Sequence, residues 1–155
     1  HIDNSTISGN VVTKWYGGAI YNGGTVNLTN TTITSNSGIG GGIWNLTQGT
    51  AELNNVILGP NIGDDCLGQG IANFTSSGNN IDSDSSCGLS AVGDISGVST
   101  MLGPLQDNGG PTFTHATLDG SPAIDAGGSS SCPATDQRGV SRPQGLNCDI
   151  GAYER

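Results

Sequence analysis

Gly17-Gly18-Ala19-Ile20-Tyr21-Asn22 returns 23 residues later as Gly40-Gly41-Gly42-Ile43-Trp44-Asn45. A weaker third copy, Gly68-Gln69-Gly70-Ile71-Ala72-Asn73, follows after 28 more residues. A second phrase repeats out of step with the first, in residues 4–10, 28–36 and 53–61, with shifts of 26 and 25 residues. Two phrases with nearly the same period indicate a repeat architecture.

The composition favours β-structure with many turns and excludes two classes of partner. Strong helix formers are scarce in the 155 residues, whereas Gly, Asn, Thr and Ser are abundant. The formal net charge is −9, and the only basic side chains are Lys14, Arg138, Arg142 and Arg155. Nucleic acids and anionic membrane surfaces are bound through basic faces, so the sequence predicts neither as a partner. No apolar stretch is long enough to span a bilayer.

Each repeat contains short runs that are typical of strands, such as Thr25-Val26-Asn27-Leu28 and Thr31-Thr32-Ile33-Thr34. Gly, Asn and Pro residues that favour turns separate these runs. Three short strands and three turns per repeat describe one coil of a parallel β-helix, whose rungs stack about 4.8 Å apart. We therefore predict an all-β solenoid with about four rungs before residue 100.

Residues that align between repeats should lie directly above one another in such a coil. The aliphatic members predict two inward stacks, and the asparagines predict a corner ladder whose amides bond from rung to rung. The first stack comprises Ile20, Ile43 and Ile71, the second Ile7, Ile33 and Leu58, and the ladder Asn22, Asn45 and Asn73. Asn10, Asn36 and Asn61 predict a second ladder.

The composition of the sequence changes near residue 102, where prolines become frequent and the repeat is lost. A solenoid needs a cap because its last rung exposes core and an unpaired edge. We predict one continuous domain with rungs in residues 1–101 and a capping module in residues 102–155. The apolar residues expected to cover the end of the core are Leu102, Leu105, Phe113, Leu118, Ala123, Ile124 and Ile150.

The four cysteines form no CxxC pair, which argues against a zinc site and for disulfides in an oxidising compartment. Four cysteines allow three pairings. We favour the local one, Cys66 with Cys87 and Cys132 with Cys148, in which each bond closes a loop of roughly 15–20 residues.

The module after residue 102 carries a series of recognisable motifs. They are residues 102–112 (LGPLQDNGGPT), 120–127 (GSPAIDAG), 136–139 (DQRG) and 148–154 (CDIGAYE). This series resembles the C-terminal module of bacterial secreted parallel β-helix exoproteins of the choice-of-anchor Q and polymorphic outer-membrane repeat type. The resemblance implies a right-handed β-helix, export to the cell surface or beyond, the two local disulfides, and further rungs upstream in a longer protein. It implies no settled activity.

The sequence offers few candidates for catalysis, and we predict none. Lys14 could act as the base of a lyase, but no acidic cluster aligns with it on successive rungs. His115 has no Ser or Cys partner in a recognisable motif, so we predict a buried structural histidine. Arg138 and Arg142 are expected to make charge-assisted structural bonds within the module. For the pairs Asp64/Asp65 and Asp82/Asp84 we predict a structural role in turns, and calcium binding is the alternative.

The sequence therefore predicts a structural or adhesive module of the cell surface without a cofactor. Its first rung would be an open edge that is covered either by upstream rungs or by another copy, in an end-to-end fibre. The alternative is a module that binds or cleaves polysaccharide through the aromatic residues Trp15, Tyr16, Tyr21 and Trp44. The two functions differ in whether these rings are buried in the stack or exposed on one face.

Overall fold

The computed structural model describes residues 1–69 and 73–155. Within them the chain is an all-β parallel solenoid of about three turns with essentially no helix, apart from a 3₁₀ turn at Ser129–Ser131. The prediction of an all-β parallel solenoid is confirmed.

Three parallel sheets run along the solenoid, and each receives one strand from most turns. Sheet A contains β1 (Ile2–Asp3), β5 (Thr25–Thr29), β9 (Thr50–Asn54) and β12 (Asn73–Ser76). Sheet B contains β2 (Thr6–Ser8), β6 (Thr32–Thr34), β10 (Ile57–Leu58), β13 (Ile81–Asp82) and β14 (Ile95–Ser96). Sheet C contains β4 (Ile20–Asn22), β8 (Ile43–Asn45) and β11 (Cys66–Gly68).

Two strand pairs lie outside these sheets. Strands β3 (Val11–Tyr16) and β7 (Ser37–Ile39) form a parallel pair between sheets B and C along the chain. Strands β15 (Leu102–Gln106) and β16 (Thr114–Thr117) form an antiparallel hairpin after the solenoid.

The register places the predicted aliphatic stacks inside the solenoid. Ile20 pairs with Ile43, and Ile7, Ile33 and Leu58 align across three turns. These side chains belong to one interior core, in which Ile33, Ile43 and Leu58 are fully buried. Alternation along each short strand thus turns one residue inward and its neighbours outward.

The third turn departs from the predicted alignment. Cys66, and not the third phrase copy, lies opposite Ile43, and Gly68 lies opposite Asn45. The step from Ile43 to Cys66 is 23 residues, as it is from Ile20 to Ile43, so the turn keeps its length although the phrase does not recur at that point. Ile71 lies outside the described residues. Asn73 begins β12 opposite Thr50 with an exposed side chain, so it reaches the predicted corner through its carbonyl and not through its amide.

Both local disulfides are present, Cys66–Cys87 and Cys132–Cys148. They indicate a non-reducing setting. The first disulfide attaches the segment after β13 to the third turn, where Cys87 and Leu89 pack against the interior core. This segment therefore covers the C-terminal end of the solenoid, the task expected of residues 102–155. None of the described residues forms a helix long and apolar enough to cross a bilayer.

The module of residues 102–155 lies along the side of the solenoid. Its Ala123 and Ile150 form a second core with Ile57 and Ile81, the outward residues of sheet B. Of the residues expected to cap the core end, Leu105, Phe113 and Leu118 are exposed. The outward face of sheet B is apolar at Ile57 and Ile81, and it therefore requires a cover of its own.

A row of asparagines with left-handed backbone joins the module to the corner between sheets A and B. Asn4, Asn30, Asn55 and Asn79 have φ of 44°, 47°, 54° and 56°. Asparagine tolerates this conformation better than other residues with a side chain. Each amide donates to the module: Asn4 to the Thr135 carbonyl, Asn30 to the Ser131 carbonyl, Asn55 to the Ser131 hydroxyl and Asn79 to the Ala126 carbonyl. The module thus runs back along the solenoid and contacts every turn.

Candidate functional site

One asparagine ladder lies where the strands of sheet C end, and the other lies just after the strands of sheet B. Asn22 donates its amide to Asn45 Oδ1 at 2.7 Å, and Asn45 donates to the Asn73 carbonyl at 3.0 Å. The first ladder is therefore as predicted for Asn22 and Asn45, but its third acceptor is backbone. The second ladder is complete, with Asn10 bonded to Asn36 at 3.0 Å and Asn36 bonded to Asn61 at 3.1 Å.

The second ladder ends in a cluster of three carboxylates. Asn61 donates to Asp65 Oδ1 at 2.8 Å, and the ligand oxygens of Asp65, Asp82 and Asp84 lie within 4.8 Å of one another. The cluster unites Asp82 and Asp84 with Asp65 but leaves out the exposed Asp64. Chain donors already engage the carboxylates: Ser83 bonds to Asp65, the Cys87 N–H to Asp82 and the Ser86 N–H to Asp84. The oxygens suit calcium by type, and their bonds give them a structural role at the covered end of the solenoid.

Burial changes the proton affinity of this cluster. It raises the pKa of Asp82 to about 6, helped by the neighbouring Asp84 and opposed by the Cys87 N–H. Burial also raises the pKa of Asp65. It acts in the same direction on Asp84, but hydrogen bonds from Ser86 outweigh it and the pKa of Asp84 is lowered. Asp82 therefore binds a proton in weakly acidic solution, in which Asp84 stays ionised.

The arginines of the lateral module make buried structural bonds, as the sequence predicts. Arg138 pairs with Asp136 at 2.8 Å and lies over the Tyr153 ring. Arg142 pairs with Glu154 at 3.2 Å, with both side chains fully buried, and also donates to the Asp149 and Gly151 carbonyls. Burial lowers the pKa of Arg142.

The four aromatic residues predicted to bind sugar comprise one buried ring and three exposed rings. Trp44 is buried and stacks on Tyr16, with ring centroids 4.0 Å apart. Tyr21 lies beside Trp44 in the register of sheet C and is 55% exposed, and Trp15 is 73% exposed. Tyr16, Trp44 and Tyr21 therefore form one connected group that reaches solvent on the flank of the first two turns.

His115 has a partner that sequence motifs did not indicate. Its Nε2 lies 2.8 Å from Ser8 Oγ, and its Nδ1 lies 2.7 Å from the Gly103 carbonyl oxygen. Ser8 belongs to the first turn and His115 to the hairpin of the lateral module, 107 residues later. His115 is buried, as predicted, but a cavity of about 500 Å³ borders both side chains.

The first turn of the solenoid is less buried than the second. Among the residues described, β1, β2 and β4 each pair on one side only. Ile2, Ile7 and Ile20 of this first turn pack against the interior core but are only half buried. Their counterparts in the next turn, Leu28, Ile33 and Ile43, are at most 1% exposed. This end presents apolar side chains together with free backbone donors and acceptors.

The chain was compared with family models, curated proteins and solved structures. No family model, no curated protein and no solved structure matches the chain.

Proposed function

We propose that the chain is an extracellular structural module that joins another β-solenoid turn through its N-terminal end. The observation that carries this proposal is the contrast between the first turn and the second. Identical interior positions are half buried in one and fully buried in the other. An unpaired edge of this kind recruits strands, because pairing satisfies the backbone groups and covers the apolar stack.

For residues 1–155 by themselves, we propose that a second copy of the chain takes the place that an upstream turn would otherwise fill. Two first turns can face each other about a twofold axis, which pairs their strands in antiparallel fashion and buries Ile7 and Ile20 from both copies. Since Cys87 and Leu89 cover the opposite end, association stops at a dimer. Growth of a longer fibre requires that the covering segment be displaced.

The surface setting is part of the same proposal. Two disulfides suit an oxidising compartment, and residues 102–155 resemble the terminal modules of exported bacterial β-helix proteins. A rigid, disulfide-linked rod that pairs through its first turn would serve as an adhesive or matrix element of a bacterial cell surface.

Light scattering of the purified chain at neutral pH tests this association. We expect a mass of two chains, and we expect Ile7→Lys to give a single chain because the variant places a charge in the interface. Val92→Lys is the matched control, since Val92 is 92% exposed and lies in the segment that covers the other end. It should remain dimeric. A wild-type chain that stays monomeric at high concentration would sink the proposal.

A second function is favoured by the exposure of the aromatic rings. We propose that Tyr16 and Tyr21, the exposed rings on either side of Trp44, bind neutral polysaccharide, since exposed rings stack on sugar faces and a net charge of −9 repels uronates. Lys14 is exposed on the same strand as Tyr16 and forms no ion pair with a carboxylate in the described part of the chain, so the arrangement favours binding over cleavage.

Titration with soluble neutral glucans, followed by tryptophan fluorescence, tests the binding. We expect Tyr21→Ala to weaken binding about two- to tenfold, because stacking on one ring contributes roughly 0.5–1.5 kcal/mol. Phe113→Ala is the control, since Phe113 is equally exposed but lies on the lateral module. Equal loss in both variants, or no response in the wild type, would exclude this function.

A further inference from the structure

Ser8 and His115 have the geometry of a nucleophile with its base. The Gly103 carbonyl can only accept a hydrogen bond, so His115 Nδ1 carries the proton that bonds to it. In the neutral ring, Nε2 is then an acceptor and receives the Ser8 hydroxyl at 2.8 Å. The carbonyl fixes the tautomer and the ring orientation, which is the task of the third group in a serine–histidine triad.

We propose that Ser8 and His115 hydrolyse small acyl esters. This activity is independent of the association through the N-terminal end, because Thr6 and Ser8 alternate with the inward Ile7 and face the lateral module. The pair arises only when the hairpin of that module lies against the first turn.

The cavity beside the pair suits a short acyl chain. It measures about 500 Å³, and its walls include the apolar side chains of Pro60, Leu102 and Leu105. Gly9 follows Ser8 and lines the same cavity, with a positive φ of 75° and open space where a Cβ would stand. The Gly9 N–H is the donor we assign to the developing oxyanion, because it directly follows the nucleophile in the chain.

The reaction needs no group beyond the chain, the ester and water. Ser8 Oγ bonds to the ester carbon while its proton passes to His115 Nε2, and the carbonyl oxygen becomes an oxyanion. Collapse breaks the bond to the alcohol oxygen, which leaves with the proton from His115. Water then attacks the acyl-Ser8, gives a proton to His115, and collapse releases the carboxylic acid and returns that proton to Ser8 Oγ.

The same contacts also fasten the hairpin to the solenoid, and the experiment must separate the two roles. A purely structural hydrogen bond lowers stability when it is removed but leaves Ser8 unreactive in the folded wild type. An activated nucleophile reacts with a fluorophosphonate, which forms an Oγ–phosphorus bond and expels fluoride with the proton taken by His115. The wild-type chain therefore answers the question without a variant that could fail to fold.

The probe is an alkyl fluorophosphonate, and the readout is mass spectrometry after trypsin digestion. Cleavage after Lys14 releases residues 1–14, and fragmentation distinguishes Ser8 from Ser5. We expect one adduct, on Ser8, and a rate at least about 100-fold lower in His115→Gln. Ser99→Ala is the control because Ser99 borders the same cavity, and it should label as the wild type does. Wild-type protein without an adduct on Ser8, or equal labelling in His115→Gln, would overturn the proposal.

Discussion

Arg142→Met should lower the free energy of unfolding by about 3–5 kcal/mol, because it leaves the Glu154 carboxylate buried without its counter-charge. Both side chains of the pair are fully buried. Among the described residues, the Glu154 carboxylate would keep only neutral donors, the N–H groups of Gln144 and Asp149. For a chain of this size the loss corresponds to a fall in Tm of roughly 6–20 °C. Urea unfolding with the disulfides intact measures it.

Arg155→Met is the matched control for that measurement. Arg155 pairs with Asp119, but the two side chains are 42% and 90% exposed. Exposed pairs contribute at most about 1 kcal/mol, so this variant should unfold almost as the wild type does. The double variant Arg142→Met/Glu154→Gln should recover part of the loss, since it removes the orphaned charge. Equal effects of Arg142→Met and Arg155→Met would contradict a buried, coupled pair.

Asp82→Asn should stabilise the protein at pH 7.5 by about 3 kcal/mol and have little effect at pH 4. The folded-state pKa of Asp82 is raised from 3.8 to about 6, and each pKa unit corresponds to about 1.4 kcal/mol. A raised pKa means that the folded state holds the proton more tightly than the unfolded state. The stability it contributes is complete below pH 4 and is lost as the pH rises through 6.

The asparagine side chain reproduces the protonated carboxyl. Its oxygen can accept the Cys87 N–H, and its amide can donate to Asp84, whichever pH is used. Thermal unfolding at several pH values should therefore give a Tm for Asp82→Asn about 6–12 °C above the wild type at pH 7.5, and the two curves should converge near pH 4. Asp64→Asn is the control because Asp64 is exposed and outside the cluster. A constant difference across the pH range would refute the assignment to Asp82.

Periodicity alone predicts the interior of this solenoid, because a stacked turn repeats the environment of the turn before it. Ile7, Ile33 and Leu58 had to align, and Asn10, Asn36 and Asn61 had to bond in sequence along the same corner. The two disulfides were predicted on a different ground, because each local pair closes a short loop. The aliphatic and asparagine stacks depend on neighbours one turn away, which the period identifies.

The remaining features depend on contacts that no period encodes. The phrase ending in Asn73 resembles its predecessors in letters, but the turn length places Cys66 in the aliphatic stack. Apolar residues such as Ala123 and Ile150 would serve equally well on an end or on a side, so composition could not reveal that they cover sheet B. Ser8 and His115 meet only because the lateral module runs backwards along the solenoid.

That backward course changes how the protein should fold and unfold. Turns of a repeat protein normally contact only their neighbours, and they can fray one at a time from either end. Here the last third of the chain holds the first, second, third and fourth asparagine corners at once. Loss of any turn therefore strains contacts along the whole rod, which makes unfolding a single concerted event. The contacts also span most of the chain, so native structure cannot be completed until the C-terminal residues have left the ribosome, and folding should be slow for a protein of this length.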